Sequence, residues 1–170
     1  MTTTQLQQDE TRSIKLEPPR FEDAASKLVA GLRDHYTPST SNQIPALWQR
    51  FGPHIGRVPG QLSGVTYGVC FPQSSGFDYM AGVEVSSASG LPEDFSVTTI
   101  PAQRYAVFAH RGHVSKLYET CDAIEREWLP TSGYEFAHGT DGAPGFFERY
   151  GTSFNPFVGA GDVEVWVPLR

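Results

Sequence analysis

Short apolar runs alternate with clusters of Gly, Pro, Ser and Asn along most of the chain, a pattern that predicts many strands and few helices. Residues 65–71 (Val-Thr-Tyr-Gly-Val-Cys-Phe) read as a strand closed by Pro72-Gln73-Ser74-Ser75-Gly76, with 77–85 as its hairpin partner and 86–94 as a Ser- and Gly-rich loop. Residues 95–100 and 104–109 are two strands around Pro101-Ala102-Gln103, and 146–150 with 163–169 form a last pair. Residues 14–16 are a short strand before Pro18-Pro19, 25–36 a longer one bent at Gly31, and 134–136 a short extended piece. Helical spacing is confined to two places. Leu47, Trp48 and Phe51 repeat on 44–51, where Pro45 suits the first turn and Gly52-Pro53 weakens the end. Leu117, Cys121, Ile124 and Trp128 form an apolar stripe on 114–129, which Pro130 is expected to end.

Read in order, the elements repeat as strand, strand, helix, strand, strand, over about 14–90 and again over about 91–170. Residues 67–71 play the part of 146–150, and 79–85 the part of 163–169. The expected fold class is α+β: duplicated units forming one curved, mostly antiparallel sheet with two main helices and a central cleft, where small molecules tend to sit.

At 170 residues the chain fits one domain, taken as 13–170 behind a polar leader, 1–12, read as disordered. Its formal charge is −6, from 13 Lys+Arg against 19 Asp+Glu, with no basic run, so direct nucleic-acid binding is not expected. No apolar run approaches the roughly 20 residues of a membrane span, and the leader lacks the apolar core of a secretory signal. Cys70 and Cys121 lack metal spacing and read as buried thiols of a cytoplasmic protein, Cys70 as packing rather than a nucleophile.

His110-Arg111-Gly112-His113 lacks a third ligand at matching spacing and reads as the turn into the second helix. Neither a glycine-rich phosphate loop nor a Gly-x-Ser-x-Gly elbow is present, so no cofactor and no metal are expected. The sharpest candidate is Glu148. Period-two alternation puts Phe146, Glu148 and Tyr150 on one face of their strand and Phe147 and Arg149 on the other. On a cleft-facing strand the carboxylate is held against rings, with a raised pKa, as counter-ion or general acid/base; on the opposite orientation it is a solvated surface group.

Trp48, Phe51, Tyr67, Tyr79, Tyr105, Tyr118, Trp128 and Trp166 add a high density of rings, which suit a cation or a flat apolar ligand. The favoured cleft-liners are Trp48, Tyr67, Tyr105, Tyr118 and Trp128, with Phe51, Phe146 and Tyr150 beside them; Trp166 reads as structural. Tyr118 has three open roles: bonding to Glu148, orienting a water, or packing, the last slightly preferred.

Several of these segments resemble the gyrase-inhibitor-like (GyrI-like) domain, which is also the effector-binding domain of many AraC-type and MerR-type regulators. They are 44–51 (Ile-Pro-Ala-Leu-Trp-Gln-Arg-Phe), 67–69 (Tyr-Gly-Val), 100–108 (Ile-Pro-Ala-Gln-Arg-Tyr-Ala-Val-Phe), 127–135 (Glu-Trp-Leu-Pro-Thr-Ser-Gly-Tyr-Glu) and 147–150 (Phe-Glu-Arg-Tyr). The resemblance covers about 14–170 and implies a ring-lined cleft whose glutamate meets cationic, lipophilic ligands; Glu148 stands at that motif position. No DNA-binding helix-turn-helix accompanies it here, so a stand-alone module is expected.

The first function expected is binding of an aromatic or lipophilic, often cationic drug or toxin anchored by Glu148. The alternative is a hydrolase that opens a strained electrophilic ring of a cyclopropane-bearing genotoxin, with Glu148 activating water and Tyr118 assisting. The third is inhibition of a topoisomerase by protein contact. The partner in the first two is a small molecule, with a homodimer allowed and no membrane involved.

Overall fold

The computed structural model describes residues 16–137 and 142–170; the leader and all but Leu16 of the strand expected at 14–16 lie outside them. Eight strands form a single antiparallel sheet: β1 Arg20–Ala24, β2 Lys27–Tyr36, β3 Gln61–Pro72, β4 Phe77–Val85, β5 Ser96–Ile100, β6 Gln103–Ala109, β7 Phe147–Tyr150 and β8 Val163–Leu169. Their spatial order is β1-β6-β8-β7-β3-β4-β2-β5. That order is symmetric about the β7–β3 seam: β3 mirrors β7, β4 mirrors β8, and β2 mirrors β6. The first strand of each half crosses to the other half, β1 onto β6 and β5 onto β2. Each half therefore supplies an edge strand to its neighbour, which binds the two into one sheet. Helix α1, Ile44–Phe51, packs through Leu47 and Phe51 against β2 and β4. The second helical segment packs through Leu117 and Ile124 against β6, β7 and β8. Both helices lie on the sheet face that carries Cys70, Tyr79 and Tyr150.

A strand not foreseen from the sequence, Arg20–Ala24, follows Pro18-Pro19 and pairs with β6; as an edge strand it carries charges at Arg20, Glu22 and Asp23 instead of an apolar run. One expectation is corrected: the second helix runs past Pro130. It is α2, Leu117–Ala123, then a π-helical turn, Ile124–Trp128, then α3, Leu129–Ser132, closed by Gly133 at φ 79°. Proline lacks an N–H and crowds the carbonyl four residues back; widening the preceding turn to i→i+5 bonding relieves both problems.

The far face of the sheet is a separate apolar layer containing Tyr67, Val69, Phe71, Met80, Tyr105, Phe147 and Trp166. There the Lys27 ammonium lies 5.5 Å from the Tyr67 and Trp166 rings and 5.7 Å from Phe147, which offsets part of its desolvation. Gly31 allows β2 and β4 to meet: a Cβ there would stand 1.9 Å from the Ala81 carbonyl oxygen.

Candidate functional site

Between α1 and α2, over the β3–β7 seam, lies an open cleft of about 1990 Å³. That exceeds the ~300–1,000 Å³ common for small-molecule pockets, so a bulky ligand fits. Ile44 and Trp48 line one wall, Tyr118 and Cys121 the other, and Phe146 and Glu148 the floor.

Glu148 pairs across the seam with Gly68, and Cys70 pairs with Tyr79 on the next strand. The missing side chain at Gly68 leaves room for the Tyr79 ring to reach across β3. Its hydroxyl donates to Glu148 Oε1 at 2.7 Å, and the Tyr150 hydroxyl donates to the same oxygen at 2.7 Å. Trp48 Nε1–H in turn donates to the Tyr79 hydroxyl oxygen at 3.0 Å. The chain Trp48→Tyr79→Glu148 fixes the carboxylate, while Oε2 has no donor among the described residues. Glu148 is half-buried: protein surrounds it on every side but the cleft. Burial pushes its pKa above the usual carboxylate value, and the two phenol donors partly oppose that rise. Desolvation and the nearby Glu148 charge push the Tyr79 and Tyr150 phenols well up, so both remain donors at neutral pH.

Of the residues singled out from sequence, Trp48, Tyr118, Phe146, Glu148 and Tyr150 line this cleft. The other four do not. Phe51 is fully buried behind Trp48, with ring centres 6.2 Å apart. Tyr67 and Tyr105 point to the far face, packed on Phe147. Trp128 packs on the buried Phe108, between the end of the second helical segment and the sheet, and stacks on Tyr134 outside the cleft. Tyr118 is 65% exposed, and its hydroxyl donates to Glu119 at 3.3 Å; packing, the role slightly preferred from sequence, is not what it does. Trp166 lies in the far-face layer.

Two residues of the floor are absent from the favoured cleft-liners: Tyr79, counted only among the rings, and Gly68. Tyr79 sits in a strand buried on both faces, where alternation is lost and a ring reads as core. Gly68 carried a usable signal, since an isolated glycine inside a strand marks close approach.

Both cysteines are free and line the cleft, and burial and the Glu148 charge push both thiols up, so they are neutral rather than nucleophilic. The buried His110 instead serves the turn before α2: Nε2–H donates to the His113 carbonyl at 2.9 Å, leaving Nδ1 to accept from the Thr120 hydroxyl at 2.7 Å. Among the described residues no helix is long and apolar enough to cross a membrane.

The chain is similar to known proteins over almost its whole length. Transcriptional regulator BrlR of Pseudomonas aeruginosa is 33% identical over 144 residues, which are 83% of this chain and 51% of the regulator. The chain thus spans about half the length of that relative. Among solved structures, SAV2435 bound to tetraphenylphosphonium has the same fold, with a TM-score of 0.72 at 20% identity over 91% of this chain and 94% of that one. The C-terminal domain of EcmrR does too, at 0.64 and 13% identity over 92% and 99%. Residues 17–170 match the GyrI-like small molecule binding domain, and the chain belongs to that family.

Proposed function

We propose that this chain binds an aromatic or lipophilic, often cationic, small molecule in the cleft, with Glu148 as its charged anchor. The observation that carries this reading is the placement of Glu148: a carboxylate on a ring-lined floor, held through one oxygen by two phenols, with no donor to the other oxygen among the described residues. An organic cation there gains a desolvated counter-ion and ring faces, each ring contributing roughly 0.5–2 kcal/mol. The bulky monocation in the SAV2435 structure is of this chemical type. The two phenols stabilise the charged form of Glu148, which suits a counter-ion better than the proton-accepting role of a hydrolase. Free thiols in the cleft suit a reducing compartment, so the setting we propose is the cytoplasm, in sequestering or sensing drugs and toxins.

The experiment is a titration with tetraphenylphosphonium followed by intrinsic fluorescence, with mass analysis of the recovered compound. One intact cation per chain is expected, and Glu148→Gln should weaken binding about 10- to 100-fold. Equal affinity in wild type and variant would overturn the anchor, and a hydrated product at sub-stoichiometric protein would make the chain a hydrolase.

A further inference from the structure

The wall of the cleft opposite Trp48 is built by one stripe of the second helix: Tyr118, Cys121, Asp122 and Glu125 line it at i, i+3, i+4 and i+7. Glu125 belongs to the π-helical turn Ile124–Trp128, and such turns re-aim side chains relative to an unbroken α-helix. Asp122 is neutralised by Arg126 at 2.8 Å, and Glu119 faces Lys116 at 3.7 Å. Glu125 makes no ion pair with any described residue. Its charge nevertheless acts on both thiols, Cys70 on the sheet and Cys121 on the helix, as the charge of Glu148 does. Both carboxylates line the same cleft, Glu148 on the floor and Glu125 on the wall. Between them lie apolar and aromatic surfaces and a cleft with room for more than one ring system.

We infer that the cleft is a site for aromatic dications, with one cationic head on Glu148 and the second on Glu125. The inference rests on the proposed role of Glu148 and adds a second, independent anchor. A single cation leaves Glu125 solvated and gains little from it. A ligand with two cationic heads joined by an apolar spacer places its second charge there without a second loss of translational freedom, so the gain depends on spacer length. An exposed carboxylate contributes a modest attraction, of the size that shows as a ratio of affinities.

The test uses α,ω-bis(pyridinium)alkanes with spacers from four to twelve carbons, each against the N-alkylpyridinium monocation of equal chain length. At the best spacer the dication is expected to bind about 10-fold tighter than its monocation. Glu125→Gln should collapse that ratio toward the statistical factor of about two for two equivalent heads. Glu148→Gln should weaken monocation and dication alike. Glu125 is exposed, so its variant folds. A ratio near two at every spacer, or one that survives Glu125→Gln, overturns the second anchor. Failure of the monocations themselves to bind, or to respond to Glu148→Gln, instead overturns the reading of Glu148.

Discussion

Gly68 faces Glu148 across the central seam, and a Cβ on Gly68 would stand 2.5 Å from the Glu148 Oε1 and 2.0 Å from the Tyr79 hydroxyl oxygen. The floor of the cleft thus depends on a side chain that is missing. Two halves of the molecule contribute to it: β3 and β4 bring Gly68 and Tyr79, and β7 brings Glu148 and Tyr150. The fold positions the carboxylate where the duplicated units meet.

Gly68→Ala should displace the Tyr79 phenol and break its bond to Glu148 while the sheet persists. The expected cost is about 1–3 kcal/mol of stability from overpacking, with weaker binding of tetraphenylphosphonium. Chemical denaturation beside a binding titration measures both. A variant with wild-type stability and affinity would show that the notch at Gly68 does not set the floor.

Tyr79→Phe and Tyr150→Phe each remove a donor that lowers the Glu148 pKa, so in either variant that pKa rises further. Cation binding requires the carboxylate; affinity is high above the folded pKa and falls as pH drops through it. The midpoint of the affinity–pH curve is therefore expected at higher pH in both variants than in wild type. Tyr79→Phe also strips Trp48 Nε1–H of its acceptor, so it should cost more stability than Tyr150→Phe, by about 1 kcal/mol. Calorimetric titrations across pH check the midpoints, and coincident curves would remove the phenols from the electrostatics of the site.

The three tryptophans occupy different places: Trp48 beside the cleft, Trp128 between the end of the second helical segment and the sheet, and Trp166 on the far face of the sheet. A cleft ligand should quench Trp48 far more than the other two. Trp48→Phe is expected to abolish most of the quenching by tetraphenylphosphonium, and Trp128→Phe to preserve it. Tyr67→Phe and Tyr105→Phe should leave affinity alone. Tyr105→Phe loses a hydroxyl that donates to the Pro101 carbonyl at 3.1 Å, so it should lower stability by about 1 kcal/mol.

How far the site was legible in the sequence follows from which strands keep their alternation. On β7, Phe-Glu-Arg-Tyr alternates visibly, so Glu148 and Tyr150 fell on one face with Phe147 on the other. Residues 67–71 of β3 and 79–83 of β4 are buried throughout, and both faces of such strands are apolar. Nothing in Tyr67 or Tyr79 alone says that the first points away from the cleft and the second into it; cross-strand register decides that. The helices show the same limit. The stripe Leu117–Cys121–Ile124–Trp128 located the buried side of the second helix, but the π-turn that places Glu125 arises from packing around Pro130, beyond the reach of a 3.6-residue period.

Glu148 also sets a balance between binding and stability. Its folded pKa is raised above the unfolded value, so between the two the native state holds more protons than the unfolded chain. The stability contributed by that protonation is fully present below the unfolded pKa and is lost as pH rises through the folded one. At neutral pH the chain thus carries an ionised, poorly hydrated carboxylate at a net cost. Glu148→Gln keeps an oxygen that accepts from Tyr79 and Tyr150 and removes the charge. It is expected to raise Tm at pH 7 by about 2–4 °C, the shift that roughly 1 kcal/mol produces in a domain of this size, with the difference from wild type shrinking as pH falls. The same variant should lose affinity for cations. Thermal unfolding of both proteins at several pH values, paired with titrations, reads the two effects together. A variant less stable than wild type at pH 7 would show that the carboxylate is stabilising in the empty cleft and that no such trade is made.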